Sequence, residues 1–269
     1  MSGIERRIML GGITSAFVTP ALARETRTAL DLNDPKSNLH ALLKILGSTN
    51  PKEVVVSFGT GRVYACMDGE PPVPLFGTHS ISTARSMRRD DGTFVARQHI
   101  VGFRTEFGTE TIIDRGINPV TGEAVDLPIT DYGISDTEYG FDGTFAIRRD
   151  GTRVKTNKSA PRPWSIENGI VALNDDSILA EPGPIHPKVD VVTRYASLAD
   201  IIDPQTNSAA SWFNFSAVDP FRPGLKMPVL GFQLWHVAGR KVEGVTDLPE
   251  FIARFAAKRF PDLTDLPAF

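Results

Sequence analysis

A few side chains able to do chemistry fall on short runs that alternate in character. Arg62 and Tyr64 share one parity with Cys66 in the run Arg62 to Met67. Arg85 shares a parity with Ile81, Thr83 and Met87, and His236 with Phe232 and Leu234. In a strand, residues two apart stand on one face, and these faces are expected to turn toward the inside of a β structure. An arginine or histidine there is costly unless it is paired or meets a ligand. A buried histidine can titrate near neutrality and act as general acid or base. A phenol can donate to a developing oxyanion, and a guanidinium can stabilise the charge. The expected catalytic set is His236 as acid or base, Tyr64 as proton donor and Arg85 as charge stabiliser. Arg62, His99, Trp212 and Trp235 are expected to bind the substrate, the tryptophans by stacking. Each has a plainer reading: His236 as a satisfied core histidine, Arg85 in a structural ion pair, Trp212 and Trp235 as core.

Other chemistries lack their residues. The five histidines, at 40, 79, 99, 186 and 236, show no His-x-His or His-Glu-x-x-His spacing, so no metal site is expected. There is no phosphate loop, no dinucleotide fingerprint and no Gly-x-Ser-x-Gly elbow, and no cofactor is expected. The one cysteine, Cys66, excludes an internal disulfide and reads as a small core residue. A net charge of -3 implies no basic face, so nucleic acid is not an expected partner.

The elements that must position these groups are strands. Between Val54 and Leu127 turn signals recur at Asp68-Gly69-Glu70-Pro71-Pro72, Asp90-Asp91-Gly92, Phe107-Gly108 and Asn118-Pro119-Val120-Thr121-Gly122. Such punctuation predicts an antiparallel meander, not βαβ units. A meander of that length must roll up or pack on a second layer. Before it, Asp34 and Pro35 start a helix with Leu39, Leu42, Leu43 and Leu46 on one face, and Gly47 ends it. Thr130 to Gly143, acidic and Gly-rich, reads as a loop or lid. Hairpins are expected around Asp150-Gly151 and at Asn174-Asp175-Asp176, the latter joining Trp164–Leu173 to Ser177–Ala180. Pro182 to Pro187 reads as a stiff connector. Strands follow at Val189–Tyr195, Trp212–Val218 and Leu230–Val237, with one helical turn at Leu198–Ile202. A last helix, Leu248 to Arg259, carries a capping box of Asp247 with Glu250 and a stripe of Leu248, Phe251, Ile252 and Phe255.

Residues 1–23 read as an export signal. Arg6-Arg7 precedes a weakly apolar run from Leu10 to Val18, and Ala21-Leu22-Ala23 offers a small-x-small cleavage site. A twin-arginine signal of this kind predicts a periplasmic protein; a vestigial one would leave it cytoplasmic. The run is too short to span a bilayer as a helix, and no stable membrane span is expected.

A series of short motifs runs through the rest. Gly61-Arg62-Val63-Tyr64-Ala65, Gly69-Glu70-Pro71-Pro72, Leu75-Phe76-Gly77, Asp91-Gly92-Thr93-Phe94 and Asn118-Pro119-Val120-Thr121-Gly122-Glu123 come first. Gly231-Phe232-Gln233-Leu234-Trp235-His236, Gly239-Arg240-Lys241 and Asp247-Leu248-Pro249 close it. In this order they resemble the uncharacterised family called domain of unknown function 1838, over nearly all the chain after the signal. The chain departs from many members at His99 and Phe103-Arg104-Thr105, where they carry an acidic residue and a Tyr-Leu-Asp, and in Asp136-Thr137-Glu138. The resemblance implies no activity.

Together these features predict one mainly β domain, residues 24–269. It would be a large antiparallel β-barrel of calycin-like kind, with a helix at each end and a pocket for a hydrophobic or aromatic small molecule. The expected function is a cofactor-independent enzyme of lyase, dehydratase or isomerase type. The alternative is a non-enzymatic periplasmic carrier. Oligomeric state is left open.

Overall fold

In the computed structural model, residues 30–149, 152–179, 188–227 and 230–269 are described. The signal-like segment, the Asp150-Gly151 turn and the Pro182–Pro187 connector lie outside the described residues. The chain opens with helix α1 (Pro35–Leu46), then β1 (Val54–Met67), β2 (Val73–Arg88), β3 (Phe94–Thr105), β4 (Ile112–Ile113), β5 (Arg115–Ile117) and β6 (Ala124–Asp126). Next come β7 (Thr130–Tyr139), β8 (Thr144–Arg149), β9 (Thr152–Asn157), β10 (Trp164–Glu167), β11 (Ile170–Asn174) and β12 (Ser177–Leu179). It ends with β13 (Lys188–Ser197), helix α2 (Leu198–Ile202), β14 (Ser211–Pro220), β15 (Gly231–Val242) and helix α3 (Glu250–Arg259).

Thirteen of the described strands form one antiparallel sheet, in the order β10-β11-β13-β14-β15-β1-β2-β3-β7-β8-β9. β12 adds to β13 and β4 to β3, while β5 and β6 make a separate ribbon around the Asn118–Gly122 turn. Among the described residues main-chain pairing leaves this path open, with β10 and β9 at its two ends. The central strand is β1, one continuous strand through Gly59 and Gly61 that pairs with β15 on one side and β2 on the other.

Each local device of α1 is realised. Asp34 accepts from the Ser37 amide at 2.9 Å, Pro35 opens the first turn, and Gly47 ends the helix where a Cβ would collide with Ser86.

Several sequence expectations need correction. Thr130 to Tyr139 is no lid but strand β7, paired with β3. Ser135, Thr137 and Tyr139 are buried on one face. The acidic residues on the other face meet neighbouring strands: Asp136 takes Arg97 in a two-point pair at 2.8 Å, and Glu138 takes Arg89, Arg148 and Arg153 at 2.9–3.2 Å. The acidity that read as a solvated loop is a cross-strand ion-pair ladder. Trp164 to Leu173 is not one strand. It folds back at Asn168-Gly169, both in the left-handed region (φ 50° and 76°), as a two-residue hairpin turn requires. Asn174-Asp175-Asp176 therefore makes no hairpin between those segments. Asp247 does not cap the last helix either. It accepts from the Gly244 amide at 2.9 Å, and α3 begins after Pro249.

The two faces of the central strands carry different loads. One face of β1–β3 presents Val56, Phe58, Ile81, Val101 and Phe103, which Leu248 and, from α3, Ile252 and Phe255 cover. His79 lies in this layer. Its ring stacks on Phe103 at 5.2 Å and its Nε2 stands 3.2 Å from Thr105 Oγ1. Burial, with Arg104 nearby, lowers its pKa to about 4, so the ring is neutral at ordinary pH. The other face is large and apolar at one end only, where Val63, Phe76, Val125, Leu127, Ala217, Leu225 and Trp235 form a second cluster. No described helix is long and apolar enough to cross a membrane.

Candidate functional site

Away from that second cluster, the same face of the sheet carries small residues. Ser57 and Gly59 of β1, Ser80, Ser82 and Ala84 of β2, and Ala96 of β3 line a cavity of about 450 Å³. Side chains this short leave the space open that Val63 and Phe76 fill further along. Ser57 and Ser82 are direct cross-strand partners, so their hydroxyls are neighbours on the cavity floor. Part of the lining is aromatic: Phe213 and Phe215 from β14, with Phe145 from β8. β8 and β13 lie near opposite ends of the strand path, yet both line this space. Gly59 and Gly239 are register partners, and a Cβ on Gly239 would collide with the Phe213 ring. Two glycines facing each other thus give that ring its seat.

Charge gathers at one margin. The Asp175 side chain, 4% exposed, is met at 2.9 Å by both Lys158 Nζ and Arg162 Nε, with Arg194 Nε at 3.7 Å. Burial would raise this carboxyl, but Lys158, Arg194 and Arg162 outweigh it and hold it below its ordinary value. Burial also lowers Lys158, against the pull of Asp175. Three cations around one carboxylate leave donors over: Arg162 Nη2 and Arg194 Nε are buried without a hydrogen-bond acceptor. The cluster also fastens the fold. Lys158 follows β9, Arg162 precedes β10 and Asp175 follows β11, so it joins the two ends of the open strand path. Asn38 of α1 secures the same corner, accepting from the Arg162 amide at 3.0 Å.

Lys241 of β15 lines the cavity from another side. Its ammonium lies within hydrogen-bond reach of four acceptors, Lys44 O, Gly47 O, Ala209 O and Ser208 Oγ, at 2.8–3.1 Å, which its three N–H groups share. Two of these carbonyls belong to the C-terminal end of α1, which has no intrahelical donors for them. Burial lowers Lys241 to about 7.

The residues singled out by sequence are mostly elsewhere. Arg62, Tyr64, Arg85, His99 and His236 alternate with the residues of the cavity-side face and stand on the opposite one. Arg62 and Tyr64 pack on Phe107, at 5.6 and 6.0 Å from its ring centre. His99 pairs with Asp131 at 2.7 Å, and the exposed His236 contacts Ser216 at 3.2 Å. His236 is the register partner of Arg62, whereas Arg85 pairs with Val54, ten residues from Tyr64 along β1. At about 3.3 Å per residue that is roughly 30 Å, too far for one reaction centre. The expected set His236, Tyr64 and Arg85 is therefore not brought together, and it does not face the cavity. Trp235 is on the cavity-side face but in its packed end. Trp212 borders the cavity while its ring, 42% exposed, stacks on Tyr195 at 5.6 Å.

The parity was the point at issue. Arg62, Tyr64, Arg85 and His236 were expected inside, whereas the positions of β1 and β2 that face the cavity are mostly small, and one step along a strand exchanges the faces. The legible signal was Ser80-x-Ser82-x-Ala84-x-Ser86, a run of small residues at alternate positions. Asp175 and its cations carry no such signal, because they come from three separate segments, the β9–β10 connection, the end of β11 and β13. Among the described residues no group of three or more His, Cys, Asp and Glu is placed to hold a metal ion.

The sequence matches the family described as "Protein of unknown function (DUF1838)" over residues 52–268. No curated protein matches it.

Proposed function

The chain belongs to the DUF1838 family, and from its cavity we propose that it is a non-enzymatic binding protein for a small amphipathic anion. The observation that carries this is the cavity itself, about 450 Å³, aromatic in part and lined by Arg194, whose buried Nε has no hydrogen-bond acceptor. Apolar walls with a few convergent polar groups are the usual make-up of a ligand pocket. A carboxylate-bearing ligand would accept from Arg194 while its apolar body lay against Phe213 and Phe215. In this reading the sheet rolls into an incomplete barrel, its ends fastened by the Asp175 cluster in place of strand pairing. No lyase, dehydratase or isomerase step is assigned, because His236, Tyr64 and Arg85 do not meet. Calorimetric titration with decanoate and with decanol tests it. The carboxylate should bind at least tenfold more tightly, about 1.4 kcal/mol. Equal binding would remove the anion from the reading, and no binding of either would remove the ligand.

We further propose that the protein acts in the periplasm, from Arg6-Arg7 and the Ala21-Leu22-Ala23 site. Fractionated native cells should yield a periplasmic form beginning near Arg24. A cytoplasmic form that keeps Met1 would refute export.

A further inference from the structure

A second cavity, of about 230 Å³, lies on the same side of the sheet, lined by Phe76, Arg104, Leu127, Arg222, Leu225 and Gln233 among others. Arg104 of β3 is buried, at 6% exposure. Its guanidinium lies between two rings, 5.5 Å from the centre of Phe76 and 4.9 Å from that of Trp235. Arg222 lies over the same Trp235 ring at 5.2 Å. Two guanidinium groups therefore share one indole.

The arrangement is short of negative charge. The one hydrogen bond that Arg104 makes among the described residues is from Nη1 to its neighbour's carbonyl, Phe103 O, at 3.0 Å. Burial lowers the Arg104 pKa to about 10, and Arg222 adds to that by repulsion. The carboxylate on the cavity wall, Asp126, is exposed and directed to Arg115, 3.8 Å away. Two further polar atoms in this corner are buried without partners, Trp235 Nε1 and Gln233 Oε1. The Gln233 amide nitrogen is already committed to Pro220 O at 3.0 Å. Stacking on aromatic faces offsets part of the cost of a buried guanidinium. It does not supply the acceptors that five N–H donors need, nor does it relieve the repulsion between two like charges. An oxyanion would do both, because two guanidinium forks match its geometry.

We propose that Arg104 and Arg222, both seated on Trp235, hold a compact oxyanion, a carboxylate or phosphate group, in this second cavity. Arg222, exposed, receives the anion from solvent, and Arg104 fixes it at depth. The indole N–H is within the same corner as a neutral donor, and Gln233 Oε1 can accept from a hydroxyl on the ligand. This site is separate from the larger cavity and stands on different residues.

The full-length protein, titrated with sodium phosphate against sodium chloride at matched ionic strength, tests the proposal by thermal unfolding. Phosphate should raise the midpoint saturably, by about 2–4 °C near tenfold excess over its dissociation constant. Arg222→Gln should weaken this effect tenfold or more while leaving the midpoint without phosphate close to the wild type. Arg104→Gln should abolish it. Because a buried site can fail to fold when altered, Arg222→Gln decides alone if the Arg104 variant is not recovered. A phosphate effect no larger than that of chloride, or one that Arg222→Gln leaves intact, overturns the proposal.

Discussion

Replacing Asp175 with alanine is expected to destabilise the protein by about 3–5 kcal/mol, the usual cost of removing one partner from a buried ion cluster. The loss is not the attraction alone. Arg162 is 2% exposed at its side chain and Lys158 is 6% exposed, so both would remain as buried charges without a counter-ion. The mutation also separates elements that no strand pairing joins among the described residues, since Lys158 follows β9 and Asp175 follows β11. Asp175→Asn keeps the shape and removes the charge, and should cost nearly as much. Urea unfolding monitored by tryptophan fluorescence measures both. A midpoint equal to the wild type would mean that the cluster does not fasten the sheet. The same carboxyl sets an acid limit. Its folded pKa lies below the ordinary 3.8, so the folded state binds fewer protons than the unfolded state in that range. Its contribution is present above the unfolded value and is lost as pH falls through the folded one. The wild type should therefore lose stability below about pH 4, and Asp175→Asn should lack that part of the loss.

Lys241→Met is expected to cost about 2–4 kcal/mol. Two effects oppose each other. Methionine fits a similar volume and spares the desolvation of an ammonium, which favours the variant. Against this, Lys44 O, Gly47 O, Ala209 O and Ser208 Oγ all lose a donor. Lys44 O keeps the Ala209 amide and Gly47 O keeps the Ser208 hydroxyl, so only part of the cost of about 1–3 kcal/mol per unpaired buried acceptor applies. The loss of acceptors should win, and α1 should loosen first because two of the carbonyls are at its end. Amide exchange of Leu42 and Leu43 reports this locally. The pH dependence has a definite sign. Lys241 is lowered to about 7 from 10.5, so between those values the unfolded chain binds more protons than the folded one. Stability due to this group rises with pH across that window. Lys241→Met should flatten that rise; an unchanged slope would show that the lysine is not held as described.

What could be read from the chain by itself was whatever is decided within a few residues. Asp34, Pro35 and Gly47 bounded α1 correctly, because a cap and a stop act on adjacent backbone groups. The Asp91-Gly92 and Asn118–Gly122 turns fell where expected, with Gly92 and Gly122 in the left-handed region. The mainly β, antiparallel character followed from those turns. The motifs between Gly61 and Pro249 pointed to the family that the match over residues 52–268 bears out.

The site was decided by tertiary structure. Alternation in β1–β3 defined two faces but not which one turned inward. That depended on α3, a helix over 140 residues after β3, covering the face of Val56, Ile81 and Phe103. Once it did, Ser57, Ser80 and Ser82 faced the cavity, while Tyr64, Arg85 and His236 were carried to the other side. β7 was missed for the same reason. Asp136 and Glu138 are acidic in sequence, and only the arginines of β3, β8 and β9 make them strand residues. Asp175 read as a turn residue until Lys158, Arg162 and Arg194 converged on it. Capping and turn energies depend on neighbours in sequence; the direction of a sheet face and the pairing of a buried charge depend on partners that only the folded chain brings near.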